Sequence, residues 1–481
     1  MAATSTSSAN FAPRRRIGAV HAMVLAFVWL AIAAGGIVFI EPAPVDALML
    51  GVLFVLPVVG LVRITPPLLA YLTIWLVAAA CALVGTINAA DTKVALTHAA
   101  VTVFLTATSF IITAFVMRRP AKHVHLIFHA YVLAASVAAS AALAGYFRLF
   151  PGAYELFTRF DRASGTFKDP NVLGAFLVPP LIFLLHRMLT RGGARLIWAA
   201  LWAGVIGLAI LFTYSRGAWV NLALSVTIFG YLAFVTAPTN LQRLKILGAG
   251  FVAICAGFML LAIALQIDGV AEQLANRATM DQSYDEGPEG RFGGQQKAMR
   301  LILANPFGIG AQQFAPHHHL EEPHNVYLFT FLNAGWLGGL VFAIMVALTV
   351  VYGIRHAFKR TPTQPLMIIA ISCFIAHAVE GFIIDLDHWR HFHLLMALVW
   401  GMMLGDRVLV RDLATFDPRK VFKRAEMIMT SRPPRPLVEA IAEQVPARFI
   451  RRVSTTRREA GRIDTRPSRA TGRTFARRVP E

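Results

Sequence analysis

The stretch ILFTYSRGAWVNLAL, Ile210 to Leu224, sets one arginine between two apolar runs. A guanidinium is costly inside hydrocarbon, so the first question is where the membrane surface lies. The flanking runs are continuous apolar blocks, not amphipathic stripes. Blocks of about 20 such residues cross a hydrocarbon core about 30 Å thick. The stretch therefore reads as a helical hairpin, with Arg216 in a tight turn at one surface. Its charge need not cross the bilayer centre.

The same reading extends to the whole chain. Its 481 residues are 57% hydrophobic and only 15% charged, whereas soluble proteins carry about 25% charged residues. A soluble enzyme is excluded. Apolar blocks recur at residues 17–40, 45–62, 66–87, 94–117, 124–147, 171–189, 196–212, 218–235, 244–267, 326–354, 366–384 and 388–404. The expected fold is all-α: a polytopic membrane protein of about twelve transmembrane helices. Its expected parts are a cytoplasmic N-terminal segment (1–16), a membrane domain (17–405) and a tail (406–481). Residues 268–323 form the one sizeable loop within the bundle, expected to be helical.

Orientation follows from the Lys/Arg bias of short loops. With the N-terminus cytoplasmic, the inner loops carry Arg63, Arg118, Arg119, Lys122, Arg187, Arg191, Arg195, Arg243, Lys245, Arg355, Lys359 and Arg360. The alternate short loops, EPAPV, NAADTK, TYSRG and DLD, hold only Lys93 and Arg216. Both termini are thus expected inside, and the loops 148–170 and 268–323 outside. The tail carries 19 Lys+Arg against 9 Asp+Glu, which suits a disordered anchor drawn to anionic lipid. Cys81, Cys255 and Cys373 all fall within apolar runs and read as packing residues.

Polar chemistry gathers on the outer face. Tyr214 and Arg216 sit in the hairpin turn. RFDRASGTFKDPNVLGAF, residues 159–176, places Arg159, Arg162 and Lys168 before a span, with Asp169-Pro170-Asn171 as a helix start. EGRFGGQQKAMRLILANPFGIGAQQF, from residue 289, reads as a turn, a helix opening near Arg291, and a stop at Asn305-Pro306. PHHHLEEPHNVYL, from residue 316, brings His317, His318, His319 and His324 to the mouth of a span. A zinc reading of the three adjacent histidines is weak, because regular structure cannot aim all three at one ion. His324, after Pro323 and beside Asn325, is better placed. Arginines clamp diphosphates through planar bidentate contacts, and histidine can serve a hydroxyl as base. No Walker A loop, dinucleotide glycine pattern or HExxH motif occurs.

Taken in order, RASGTFKDPNVLGAF, YSRGAW, GRFGGQQKAMRLILANPFGIG and PHNVYLFTFLNAGWLGG resemble the O-antigen ligase and polysaccharide polymerase superfamily. The resemblance implies glycosyl transfer at the periplasmic face of a bacterial inner membrane. It implies an undecaprenyl-diphosphate-linked glycan donor, a glycan or lipid A-core acceptor, membrane lipids as surroundings and other polysaccharide assembly proteins nearby. No nucleic acid, cofactor or metal is implied. By motif match, Arg216 and Arg291 bind diphosphate and His324 activates the acceptor, forming the catalytic set. Arg162, Lys168, Asn171, Tyr214 and Asn325 are read as substrate-binding. The histidine run, the acidic YDEGPEG segment and the basic tail are not elements of the family pattern. Ligases and polymerases share the motifs.

Twelve spans also suit a polysaccharide transporter or flippase. Such a protein is expected to carry internal repeats and midplane polar residues in broken helices. Here the polar residues crowd one surface, which favours the enzyme. Cysteine-accessibility labelling tests the orientation. A position near Pro316 should react from the periplasm and one near Ser454 should not; the reverse pattern overturns the placement of the arginines.

Overall fold

The computed structural model describes residues 12–267, 269–278 and 287–414. The helices run, in order, α1 Ala12–Ala33, α2 Pro44–Val58, α3 Pro66–Gly85, α4 Thr92–Arg118, α5 Pro120–Tyr146, α6 Ala153–Phe157, α7 Pro170–Thr190 and α8 Ala194–Phe212. They continue with α9 Arg216–Thr236, α10 Asn240–Ala264, α11 Val270–Ala278, α12 Arg291–Ala304, α13 Phe314–His318, α14 Val326–Ala357, α15 Gln364–Glu380 and α16 Arg390–Ala414. The strands β1 Thr158–Arg159 and β2 Arg162–Ala163 pair as a minimal hairpin. The chain is an all-α polytopic membrane protein. Most of the expected tail, and the start of the YDEGPEG segment, lie outside the described residues.

Each of the twelve apolar blocks forms a helix. Among the described residues nine are long and apolar enough to cross a membrane, while α2 and α15 are shorter apolar helices. The sequence punctuates the starts. Proline opens α2, α3, α5 and α7, where a missing N–H costs nothing. Side-chain oxygens of Asp91, Asp169, Ser215, Thr239 and Asn325 cap α4, α7, α9, α10 and α14. Two boundaries differ clearly from the sequence reading: α1 ends at Ala33, short of residue 40, and the last two blocks stand further apart than expected. α15 stops at Glu380 and α16 begins at Arg390, so residues 381–389 form a turn that hydropathy had assigned largely to spans.

Contacts sort the loops into two faces. On one, Val38 bridges Phe167, Asn88 donates to the Gly308 carbonyl at 3.1 Å, and Arg390 grips Asp46 with two bonds of 2.7 Å. On the other, Arg118 bonds the Gly60 carbonyl, and His356 and Thr363 meet Asp406. Arg118, one of the cations read as inner, lies on this second face.

α14 is kinked at Gly335, whose φ of +69° lies in the left-handed region. The segment after α12 docks into the kink. Ile309 N–H donates to the Leu332 carbonyl at 2.7 Å, and Trp336 N–H and indole donate to the Pro306 and Ile302 carbonyls at 2.9 and 2.7 Å. The break therefore satisfies its own backbone, as membrane structure demands. A Cβ at Gly335 would sit 2.8 Å from Phe307 Cα and press on the Pro306 carbonyl. Gly335→Ala should cost about 1–3 kcal/mol through strain and clash, seen as a lowered thermal midpoint in detergent. Gly250→Ala, which meets nothing within 4 Å, should leave it unchanged. Equal midpoints would contradict the docking.

Candidate functional site

Helix starts and one turn build the site. Arg216 opens α9 directly after the Ser215 cap, and the preceding Tyr214 has φ +47°. Arg291 opens α12 after Gly290. His324, also at φ +47°, stands immediately before the Asn325 cap of α14. Left-handed backbone at a bulky residue is strained and persists only where surrounding contacts fix it. One strained residue, Tyr214, stands two residues before Arg216, and the other is His324 itself.

These three segments meet at the end of α15. On α9, Asn221 Nδ2 donates to Glu380 Oε2 at 2.6 Å, and a Cβ at Gly217 would lie 2.9 Å from Glu380 Oε1. On α12, Gln295, one turn beyond Arg291, donates to the Phe382 carbonyl at 3.4 Å. On α14, Val326 N–H donates to the Gly381 carbonyl at 2.8 Å, and Asn325 N–H to Asp385 Oδ1 at 2.9 Å. Tyr327 hydroxyl adds a bond of 2.7 Å to the Ala378 carbonyl. The turn 380–385 thus gathers the helices of Arg216, Arg291 and His324 around itself.

The imidazole of His324 lies between two carboxylates. Its Nε2 is 2.9 Å from exposed Glu321, and its Nδ1 is 3.9 Å from Asp385. Burial pushes the Asp385 carboxyl well above the usual carboxylate range, and nearby Asp387 and Glu322 push it the same way. At 3.9 Å Asp385 does not hydrogen-bond the ring; it holds the backbone next to His324 through the Asn325 N–H.

Asp385 also lines a cavity of about 620 Å³. Arg159, Lys168, Asp169 and Arg390 line it with His98, Asp387 and His388, above apolar residues such as Val38, Phe167 and Phe176. Of the substrate-binding residues expected from sequence, Lys168 reaches this wall. Arg162 is held elsewhere, donating to the Thr213 carbonyl and to Asn171 Oδ1, both at 2.6 Å. Tyr214 shares a 2.8 Å hydroxyl bond with Tyr146. Asn325 spends its side-chain oxygen on capping Tyr327 and Leu328 N–H groups. Arg162 and Tyr214 therefore tie the hairpin turn of α8 and α9 to the α5–α7 region.

The sequence model of the O-Antigen ligase family matches residues 198–343. Over that segment the chain is similar to the O-antigen ligase family. No curated protein sequence matches the chain. The O-antigen ligase match runs from α8 into α14 and contains Arg216, Arg291 and His324. At family level it carries ligase- or polymerase-type glycosyl transfer, with polysaccharide and lipid-linked substrates in a membrane. The turn that gathers these residues lies beyond the matched segment. Sequence reasoning missed Asp385, Asp387, His98, His388 and Arg390. A signal existed: DLDHWRHFH, 385–393, holds six ionisable residues in nine between apolar helices. Counting only cations for orientation passed over it.

Proposed function

We propose that the chain transfers a glycan from an undecaprenyl-diphosphate carrier to a hydroxyl acceptor at the periplasmic face of a bacterial inner membrane, as polymerase or ligase in surface or exopolysaccharide assembly. The observation that carries this reading is the convergence of the Arg216, Arg291 and His324 helices on the turn 380–385. Arg216 and Arg291 hold the donor diphosphate. Guanidinium forks match its oxygens and neutralise charge as it departs. His324 takes the acceptor hydroxyl proton while that oxygen attacks the anomeric carbon. The carbon–oxygen bond to the diphosphate breaks, and the undecaprenyl diphosphate leaves with the electron pair. The diphosphate is already an activated leaving group, so the transfer calls for no nucleotide and no metal on the reacting atoms. Asp385 fixes the backbone beside His324 through the Asn325 N–H and also borders the cavity, where Lys168 and the aromatic wall would seat glycan. Arg162, Asn171, Tyr214 and Asn325 support the arginine turn and the His324 helix from the sides.

Purified protein, lipid-linked donor and acceptor test the reading. Arg216→Lys and Arg291→Lys keep charge but lose the fork, and each should lower transfer by about 10-fold or more at unchanged protein level. His324→Ala should lose the roughly 10²–10⁴-fold contribution of a positioned base while donor binding persists. Near-normal turnover in both lysine variants would reduce the arginines to generic positive charge and overturn the clamp.

A further inference from the structure

We propose that His98, Asp387 and His388 form a divalent transition-metal site that clamps the turn after α15 to the first turns of α4. Asp387 and His388 are neighbours on the turn, His98 lies on α4 far away in sequence, and none belongs to the histidine run that invites a metal reading. His98 Nε2 is 3.3 Å from Asp387 Oδ2, and His388 Nε2 is 3.7 Å from the same oxygen. The donor atoms of all three lie within 4.8 Å of one another. The imidazole rings stack, with centroids 3.8 Å apart.

These separations are long for hydrogen bonds, which centre on about 2.9–3.0 Å for N–H···O. They suit ligands of one ion. Tetrahedral zinc, with bonds of about 2.0–2.2 Å to nitrogen and oxygen, sets neighbouring donors about 3.3 Å apart. A cation would engage the carboxylate oxygen and both imidazole nitrogens together. Two imidazoles with one carboxylate select zinc, cobalt or nickel over calcium or magnesium, which prefer oxygen shells.

The surroundings fit a metal site. His98 and His388 side chains are 11% and 25% exposed and Asp387 13%, so the ligands are sheltered but reachable. All three line the 620 Å³ cavity, which supplies an entry path and a direction for a fourth ligand. The Asp387 carbonyl is held by His393 Nε2 at 2.7 Å, a support of the kind that orients ligand-bearing backbone. Thr102 Oγ1 lies 3.0 Å from His388 Nε2 and 3.2 Å from the His98 carbonyl. An ion would displace its bond to the ring and leave the bond to the carbonyl. The metal would act at a distance from the transfer chemistry. By fixing residues 387 and 388 it fixes the neighbouring Asp385, and thereby the backbone before α14. The site stands independently of the glycosyl-transfer reading.

The test uses full-length protein in detergent without a polyhistidine tag, stripped by chelator and then titrated with zinc or cobalt chloride. Elemental analysis after desalting should find about one ion per chain, and cobalt should give the visible absorption of a low-coordinate nitrogen and oxygen site. Zinc should raise the thermal midpoint. His98→Ala and His388→Ala should each weaken binding by about 100-fold or more and abolish the zinc shift. The triple variant His317→Ala, His318→Ala, His319→Ala should bind as wild type. Wild-type protein that retains no stoichiometric ion and shows no zinc shift overturns the proposal, whatever the variants do. So does undiminished binding in a folded double variant of His98 and His388. Neither result bears on the arginine clamp, which the transfer assay reads separately.

Discussion

The site depends on one tie: the start of α14 is bonded to the turn after α15 through Val326 N–H on the Gly381 carbonyl and Asn325 N–H on Asp385. Backbone polar groups near hydrocarbon must find partners, and unmet ones cost several kcal/mol each by order of magnitude. Here the first amides of α14 are met partly by the cap and partly by another helix's end. The position of His324 is thereby coupled to α15, and through Glu380 and Asn221 to the helix that begins with Arg216. Mutual placement of the candidate groups is a consequence of satisfying helix ends.

A second device works with it. The kink at Gly335 lets the 306–309 segment lie across α14, and that segment continues directly from α12. Gly308, at φ +81°, approaches the Leu332 carbonyl so closely that a Cβ would sit 2.6 Å from it. α12, which opens with Arg291, is therefore fastened at its far end to the same helix that begins beside His324. Fold and site share their fixings, and the glycines serve close approach, not flexibility.

Much of this was legible in the sequence. Twelve apolar blocks, prolines at helix starts and polar caps such as Asp169 and Asn325 gave the helices, because hydrophobic length and capping act locally. Arg216, Arg291 and His324 stood out because each interrupts or opens an apolar or helical run. The turn 381–389 was harder to see. Ile383 and Ile384 extend the apolar block past Glu380, and hydropathy cannot register that the turn's backbone bonds run to α14 and α12. The cavity wall was hidden for a related reason. His98 on α4 and Asp387 on the turn come together only through tertiary packing, and no local pattern joins them. Lys168 was found because it sits in a motif; Arg390 was not, because its partner Asp46 lies on α2.

The central claim is that one site, gathered by the turn 380–385, holds both the donor diphosphate and the acceptor base. The most direct measurement is a cryo-EM structure of the His324→Ala protein with a bound undecaprenyl-diphosphate-linked glycan. The account predicts diphosphate oxygens within hydrogen-bond distance of both Arg216 and Arg291, with the anomeric carbon facing residue 324. A diphosphate bound away from either arginine, with the sugar remote from residue 324, would contradict it.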